Sequence, residues 1–242
     1  MKTVIALYMV VLTALTACGN SGDTGKTGLP DNRMLSGALT GLDWPPSAIK
    51  QEVEVDLKKT GTKNYYIIFD GSGSMEGEKL EIAKKAFVQF IKSIPDNANI
   101  GLVSFDAGGF YERGPLGSLK KDIIEKVKLI KAGGNTPLGG CIQIAHEKLG
   151  IQAKKQLGYG EYNLIILTDG QATDGTLIDT AVGMVLDETP IVIHTIGLKI
   201  GTGHALNQPG KIYYKAAENL MDISSGLESV LAETEDFTVM DF

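Results

Sequence analysis

The chain has 242 residues, a formal net charge of −6, 43% hydrophobic residues and 21% charged residues. Those values describe a folded globular protein, long enough for one α/β domain with a full core plus an extra segment. The mild acidity, with no run of Lys and Arg, excludes a nucleic-acid partner, which needs a basic patch.

At the N-terminus, "MKTVIALYMVVLTALTAC" carries one Lys and then an apolar stretch from Val4 to Ala17. The stretch is too short for a membrane span and reads as a signal peptide. Its end, Leu15-Thr16-Ala17-Cys18, resembles the bacterial lipobox, whose cysteine is lipidated and becomes the new N-terminus. Residues 1–17 are then a lipoprotein signal peptide. Acyl chains on Cys18 hold the protein at a membrane without a spanning helix. Gly19 stands where an Asp favours inner-membrane retention in Gram-negative lipoproteins. The expected address is the cell envelope: the outer membrane of a Gram-negative cell or the outer face of a Gram-positive one. The other cysteine, Cys141, has no partner once Cys18 is lipidated, so it reads as a buried structural thiol.

Residues 18–48, rich in Gly, Asp, Asn, Thr and Ser, read as a flexible tether. "LDWPPSAIK", with the single Trp of the chain, sits at its end. The domain is expected over residues 49–242, with a core of about 60–235. "EVEVDL", from Glu52 to Leu57, alternates like a strand that could pair with a sheet edge.

From Asn64 the pattern is regular. "YYIIFD" is a continuous apolar run, as in a strand buried on both faces. "EKLEIAKKAFVQFIKSI" follows with Leu80, Ala83, Phe87, Phe90, Ile91 and Ile94 at helical spacing. "NIGLVSFD" is a second strand, and "FYERGPL" returns as a strand that Pro115 confines to an edge. "LKKDIIEKVKLIKA" and "PLGGCIQIAHEKLG" are helices, with Pro137 suited to the first turn of the second. "NLIILTD", "TLIDTAVGMVLDE", "PIVIHTIGL", "KIYYKA" and "LMDISSGLESVLAE" continue the alternation of strand and helix. This order predicts an α/β fold: a doubly wound, Rossmann-like, mostly parallel sheet with helices on both faces.

Two buried strands end in aspartate, at Asp70 and at Asp169. If these strands flank the topological switch point, their carboxylates meet in the ligand crevice. Asp70, Ser72 and Ser74 alternate along extended chain and can face one side. The Gly-rich turn "AGGNTPLGG" can bring Thr136 to the same rim. Its glycines give the turn freedom to shift. Carboxylates and hydroxyls without His or Cys suit a hard cation, most simply Mg²⁺, with Mn²⁺ or Ca²⁺ as alternatives. Asp106, Asp174 and Glu76 read as solvated loop acids near this crevice. His146, His194 and His204 lack metal-ligand spacing and read as structural or surface residues.

Asp-x-Ser-x-Ser at Asp70, Ser72 and Ser74, Thr136 in "GGNTPLGG" and Asp169 in "ILTDG" together resemble the metal-ion-dependent adhesion site of the von Willebrand factor type A family. The resemblance implies one antiparallel edge strand in the sheet. It also implies a divalent cation whose remaining position takes an Asp or Glu carboxylate from a partner protein. Ser72, Ser74 and Thr136 would bind directly in the ligand-ready state, Asp70 and Asp169 directly or through water.

Enzyme motifs fit poorly. Glu76 replaces the third glycine of a dinucleotide fingerprint, and Asp70 would repel a pyrophosphate. No Lys follows the glycines as in a P-loop, and no Gly-x-Ser-x-Gly elbow is present. The expected function is a non-enzymatic, metal-dependent binding module. The alternative is a structural or assembly subunit of an envelope complex, one with an ATPase included. A metal-dependent hydrolase or phosphotransferase ranks below both.

Overall fold

The computed structural model describes residues 44–175 and 177–233. The expected signal peptide, Cys18 and most of the expected tether lie outside them. The six strands among the described residues are β1 (Lys63–Asp70), β2 (Asn99–Asp106), β3 (Gly109–Gly114), β4 (Glu161–Thr168), β5 (Val192–Leu198) and β6 (Tyr213–Ala217). They form one sheet in the order β3-β2-β1-β4-β5-β6. Every neighbouring pair is parallel except β2–β3, the antiparallel edge. Five α-helices among the described residues flank the sheet: α1 (Glu78–Ser93), α2 (Lys120–Lys128), α3 (Leu138–Lys155), α4 (Leu177–Glu188) and α5 (Leu220–Glu233).

The unbroken apolar run of β1 is explained by its central place. Tyr65, Ile67 and Phe69 face a core with Phe87, Phe90 and Ile91 of α1 and with Ile223 and Leu227 of α5. Tyr66 and Ile68 face a second core with Cys141 and Ile142 of α3 and Val182 and Val185 of α4. Phe69 meets Phe87 edge-to-face at 5.4 Å. Burying a ring of that size contributes about 1.5–3 kcal/mol. Among the described residues, no helix is long and apolar enough to cross a membrane.

The strand expected over Glu52–Leu57 is not formed. Residues 51–56 have no regular structure, and Leu57–Lys59 is a single 3₁₀ turn. The alternating residues have no face to bury, since Val55 and Leu57 stay exposed. Asp56 instead caps the turn, accepting from Lys58 N at 3.1 Å. Its own N–H reaches Lys155 O at the end of α3. Upstream, Trp44 packs edge-on against Tyr162 at the start of β4, with ring centroids 4.8 Å apart. Ile49 and Pro46 lie so close over Gly150 that a Cβ there would meet Ile49 at 2.5 Å. Residues 44–56 are thus a strap around the end of the sheet where β1 and β4 begin.

Candidate metal centre

The strand order reverses direction between β1 and β4, so the crevice opens beyond their C-terminal ends. Asp70 is the last residue of β1, and Asp169 follows the last residue of β4. Both are buried. Asp70 accepts from Ser72 N at 2.8 Å and from Thr168 Oγ1 at 2.6 Å. Burial pushes its carboxyl above the usual range, the bonds from Ser72 and Thr168 oppose this, and the charge of Asp169 adds to it.

Ser72 Oγ and Ser74 Oγ lie 3.0 Å apart. Ser74 Oγ donates to Asp169 Oδ1 at 2.6 Å. Thr136, just before α3, comes from a third loop. A Cβ built on Gly170 would lie 3.7 Å from Ser74 Oγ and 3.9 Å from Thr136 Oγ1. The absence of a side chain at Gly170 therefore keeps clear a space bordered by those two hydroxyls. All five predicted residues are brought to this rim: two carboxylates and three hydroxyls from three loops.

The rim is stitched by backbone hydrogen bonds. Gly71 N donates to Phe105 O at 2.8 Å, Gly133 N to Gly71 O at 2.9 Å and Gly73 N to Gly134 O at 3.2 Å. Thr136 N donates to Thr173 Oγ1 at 3.0 Å, and Thr173 N returns to Thr136 O at 2.9 Å. The loop that carries Thr136 is thus tied on both sides to its neighbours. A Cβ on Gly133 would meet that of Ala107 at 2.7 Å, and one on Gly139 would meet Ile178 N at 2.6 Å. These glycines serve close packing.

Asp106 is also corrected, since it is 5% exposed rather than solvated. It accepts from Gly108 N at 2.8 Å and from Arg113 Nη2 at 2.6 Å, which holds the β2–β3 turn beside Gly71. Asp174 accepts from Gly140 N at 2.9 Å and so caps the first turn of α3. The histidines do not gather. His204 Nδ1 accepts from Leu206 N, so Nε2 carries the proton and donates to Gly170 O at 2.8 Å. Burial lowers its pKa, with the Gly170 carbonyl and the Asp70 charge opposing. His204 is therefore a neutral strut for the loop after β4.

Sequence reasoning missed Thr168, Lys79 and Gly170, and read His204 as structural or surface without placing it here. Thr168 could have been found from its place beside Asp169 at a strand end. Lys79 carried a signal as well, being a cation in the first turn of a helix, where the dipole disfavours one. It pairs with Asp169 Oδ2 at 2.5 Å. Nothing local marked Gly170 or His204.

Comparison with known proteins agrees with this architecture. Residues 64–239 match the model of the von Willebrand factor type A domain. Inter-alpha-trypsin inhibitor heavy chain 4 of Mus musculus is 26% identical over 122 residues, which is 48% of this chain and 13% of that protein. The chain thus spans a small part of that relative's length. Among solved structures, the von Willebrand factor domain of the type V pili tip protein Mfa5 from Porphyromonas gingivalis superposes with a TM-score of 0.57. It is 13% identical and covers 76% of this chain and 99% of that one. Proximal thread matrix protein 1 from the mussel byssus, with a zinc-occupied MIDAS motif, gives 0.58 at 19% identity, covering 74% of this chain and 48% of that one. At such identities the superpositions show the fold alone, but the family match runs over most of the chain: it belongs to the von Willebrand factor type A domain family.

Proposed function

We propose that this chain is a membrane-anchored, non-enzymatic binding module. Asp70, Ser72, Ser74, Thr136 and Asp169 would hold a divalent cation through which it engages an Asp or Glu of a protein partner. The observation that carries this reading is the meeting of two buried carboxylates and three hydroxyls around the space beside Gly170. The donors are all oxygen, which fits Mg²⁺ best and Mn²⁺ next. The zinc-occupied site of the mussel protein supports a divalent cation. The pilus tip protein supports a cell-surface setting, in keeping with an anchor at Cys18.

When bound, the cation supplies an electrophilic position that a partner carboxylate completes. The chain's own residues prepare it. Ser72 N and Thr168 hold Asp70 in one orientation, and Ser74 orients Asp169. The Thr173 hydroxyl and backbone N–H, paired with the Thr136 N–H and carbonyl, fix the Thr136 backbone. Both ring nitrogens of His204 are committed to backbone partners, which holds the loop after β4 in place.

The test uses the full chain in detergent, with envelope proteins captured in Mg²⁺ or in chelator. A partner should be retained in Mg²⁺, released by chelator and lost with Thr136→Ala. Changing one exposed Glu or Asp of that partner to Gln or Asn should abolish capture. Capture indifferent to both chelator and Thr136→Ala would leave an assembly subunit whose site is structural.

A further inference from the structure

Lys79 lies in the first turn of α1, where unsatisfied N–H groups disfavour a cation. Its neighbours in that turn, Glu78 and Glu81, have the favoured sign. The lysine side chain turns back to the rim, only 29% exposed, and reaches Asp169 Oδ2 at 2.5 Å and Ser74 O at 3.0 Å. Asp169 itself has a fully buried side chain. With Ser74 Oγ on Oδ1 and Lys79 on Oδ2, both oxygens of Asp169 are committed to donors of the chain. Asp70 differs: its partners are a backbone N–H and a hydroxyl, with no cation among them.

We propose that Lys79 is a positioning residue that holds Asp169 against Ser74 and keeps that carboxylate from ligating the divalent cation directly. This rests on the metal-site reading. An ammonium beside the site repels a dication and neutralises the carboxylate that would otherwise be its strongest second ligand. The site then takes the cation more weakly but leaves it less neutralised, so its pull on an acidic partner is stronger. Lys79 trades cation affinity for partner affinity.

The experiment titrates Mg²⁺ into metal-free full chain by calorimetry, for wild type, Lys79→Met and Lys79→Arg, and records Tm in chelator. Lys79→Met removes the charge at nearly constant length and should bind Mg²⁺ at least about ten-fold more tightly than wild type. Lys79→Arg keeps the charge and should stay near wild type. In chelator, Lys79→Met should melt lower, because two buried carboxylates then face each other without a cation. If Lys79→Met melts lower but binds Mg²⁺ no more tightly than wild type, Lys79 only staples α1 to the rim and the proposal is overturned while the metal site stands. If Mg²⁺ binds to Lys79→Met but not to wild type, the native site takes no cation, and the proposal is overturned together with the metal reading. If no protein binds Mg²⁺, both are overturned.

Discussion

The two ends of the sheet bury polar side chains to a similar degree but with opposite chemistry. Where β1 and β4 begin, the buried polar groups include neutral amides that hydrogen-bond to one another and to backbone carbonyls. Asn64 accepts from Asn99 Nδ2 at 2.8 Å and donates to Glu161 O at 3.0 Å. Gln152 donates to Gln156 at 3.1 Å, and Gln156 donates to Lys59 O at 2.7 Å. Where the same strands end, the buried groups include two carboxylates, with a single ammonium paired to one of them. Burial of polar residues therefore does not by itself mark a site. An amide network closes on itself, while a pair of buried carboxylates carries more charge than its protein partners offset and calls for a cation. The strap of residues 44–56 lies at the neutral end. Chain entering the domain there leaves the charged end facing away from that entry.

The largest effect should come from removing charge at the charged end while keeping its hydrogen bonds. Asp70→Asn still accepts from Ser72 N, yet calorimetry should show Mg²⁺ affinity lowered by at least about a hundred-fold, since ligand charge sets affinity. Because burial already penalises the Asp70 carboxylate, Asp70→Asn should melt higher than wild type in chelator. A lower Tm in chelator would mean that the carboxylate stabilises the apo fold. At the neutral end the expectation is reversed. Asn64→Ala leaves the Asn99 amide and the Glu161 carbonyl without partners, and denaturant unfolding should show a loss of about 3 kcal/mol. Its Mg²⁺ affinity should equal that of wild type.

Much of this contrast was legible in the sequence, and the reasons differ by residue. The sheet followed from apolar runs such as "YYIIFD", because a strand covered on both faces has no polar side to show. The strands that end in aspartate gave away Asp70 and Asp169, and period-two alternation gave Ser72 and Ser74. Thr136 was read from the Gly-rich turn that opens α3, and the family resemblance then gave that residue a role. Lys79 was not read, and His204 was read as structural without its partner, because each acts on a residue far along the chain: Lys79 on Asp169, His204 on Gly170. The alternation of Glu52–Leu57 misled, since period two has meaning only where a sheet face is available to cover it. Residues 132–140 carried more than their glycine count showed: at Gly133 and Gly139 neighbouring backbone leaves no room for a side chain, which only the folded neighbours reveal.

Acid should sharpen the comparison by putting charge into the neutral end. His194, on β5, is buried, contacts Asn163 Oδ1 at 3.3 Å and stacks on Tyr213 at 5.1 Å. Burial lowers its pKa from 6.5 to about 4. The unfolded chain therefore takes up a proton between these values that the folded chain refuses, and stability falls as pH drops through this window. From pH 7 to pH 5 the loss from this residue should be about 2 kcal/mol. His194→Gln should flatten the denaturant midpoint against pH over that range by the same amount. An unchanged slope would mean that other groups carry the acid sensitivity.

The smallest change tests where the cation sits. Gly170 has open space between the Ser74 and Thr136 hydroxyls, and a Cβ there would stand 3.7 and 3.9 Å from them, ordinary contact distances. Its φ is not among the left-handed glycines of the chain, so an alanine is tolerated by the backbone. Gly170→Ala should therefore melt within experimental scatter of wild type in chelator. Its methyl group would nevertheless occupy part of the space that the cation and its waters need. Mg²⁺ affinity should fall several-fold, equivalent to about 1 kcal/mol, because Mg²⁺ holds its octahedral shell rigidly. Ca²⁺, with longer and more adaptable bonds, should lose less. Stability and cation affinity would then separate at one residue, as they could not at Asp70, where on the proposed reading the same carboxylate would both burden the apo fold and hold the ion. If Gly170→Ala binds Mg²⁺ as wild type does, the cation does not lie between Ser74 and Thr136, and the donors must be sought on the Asp70 side of the rim.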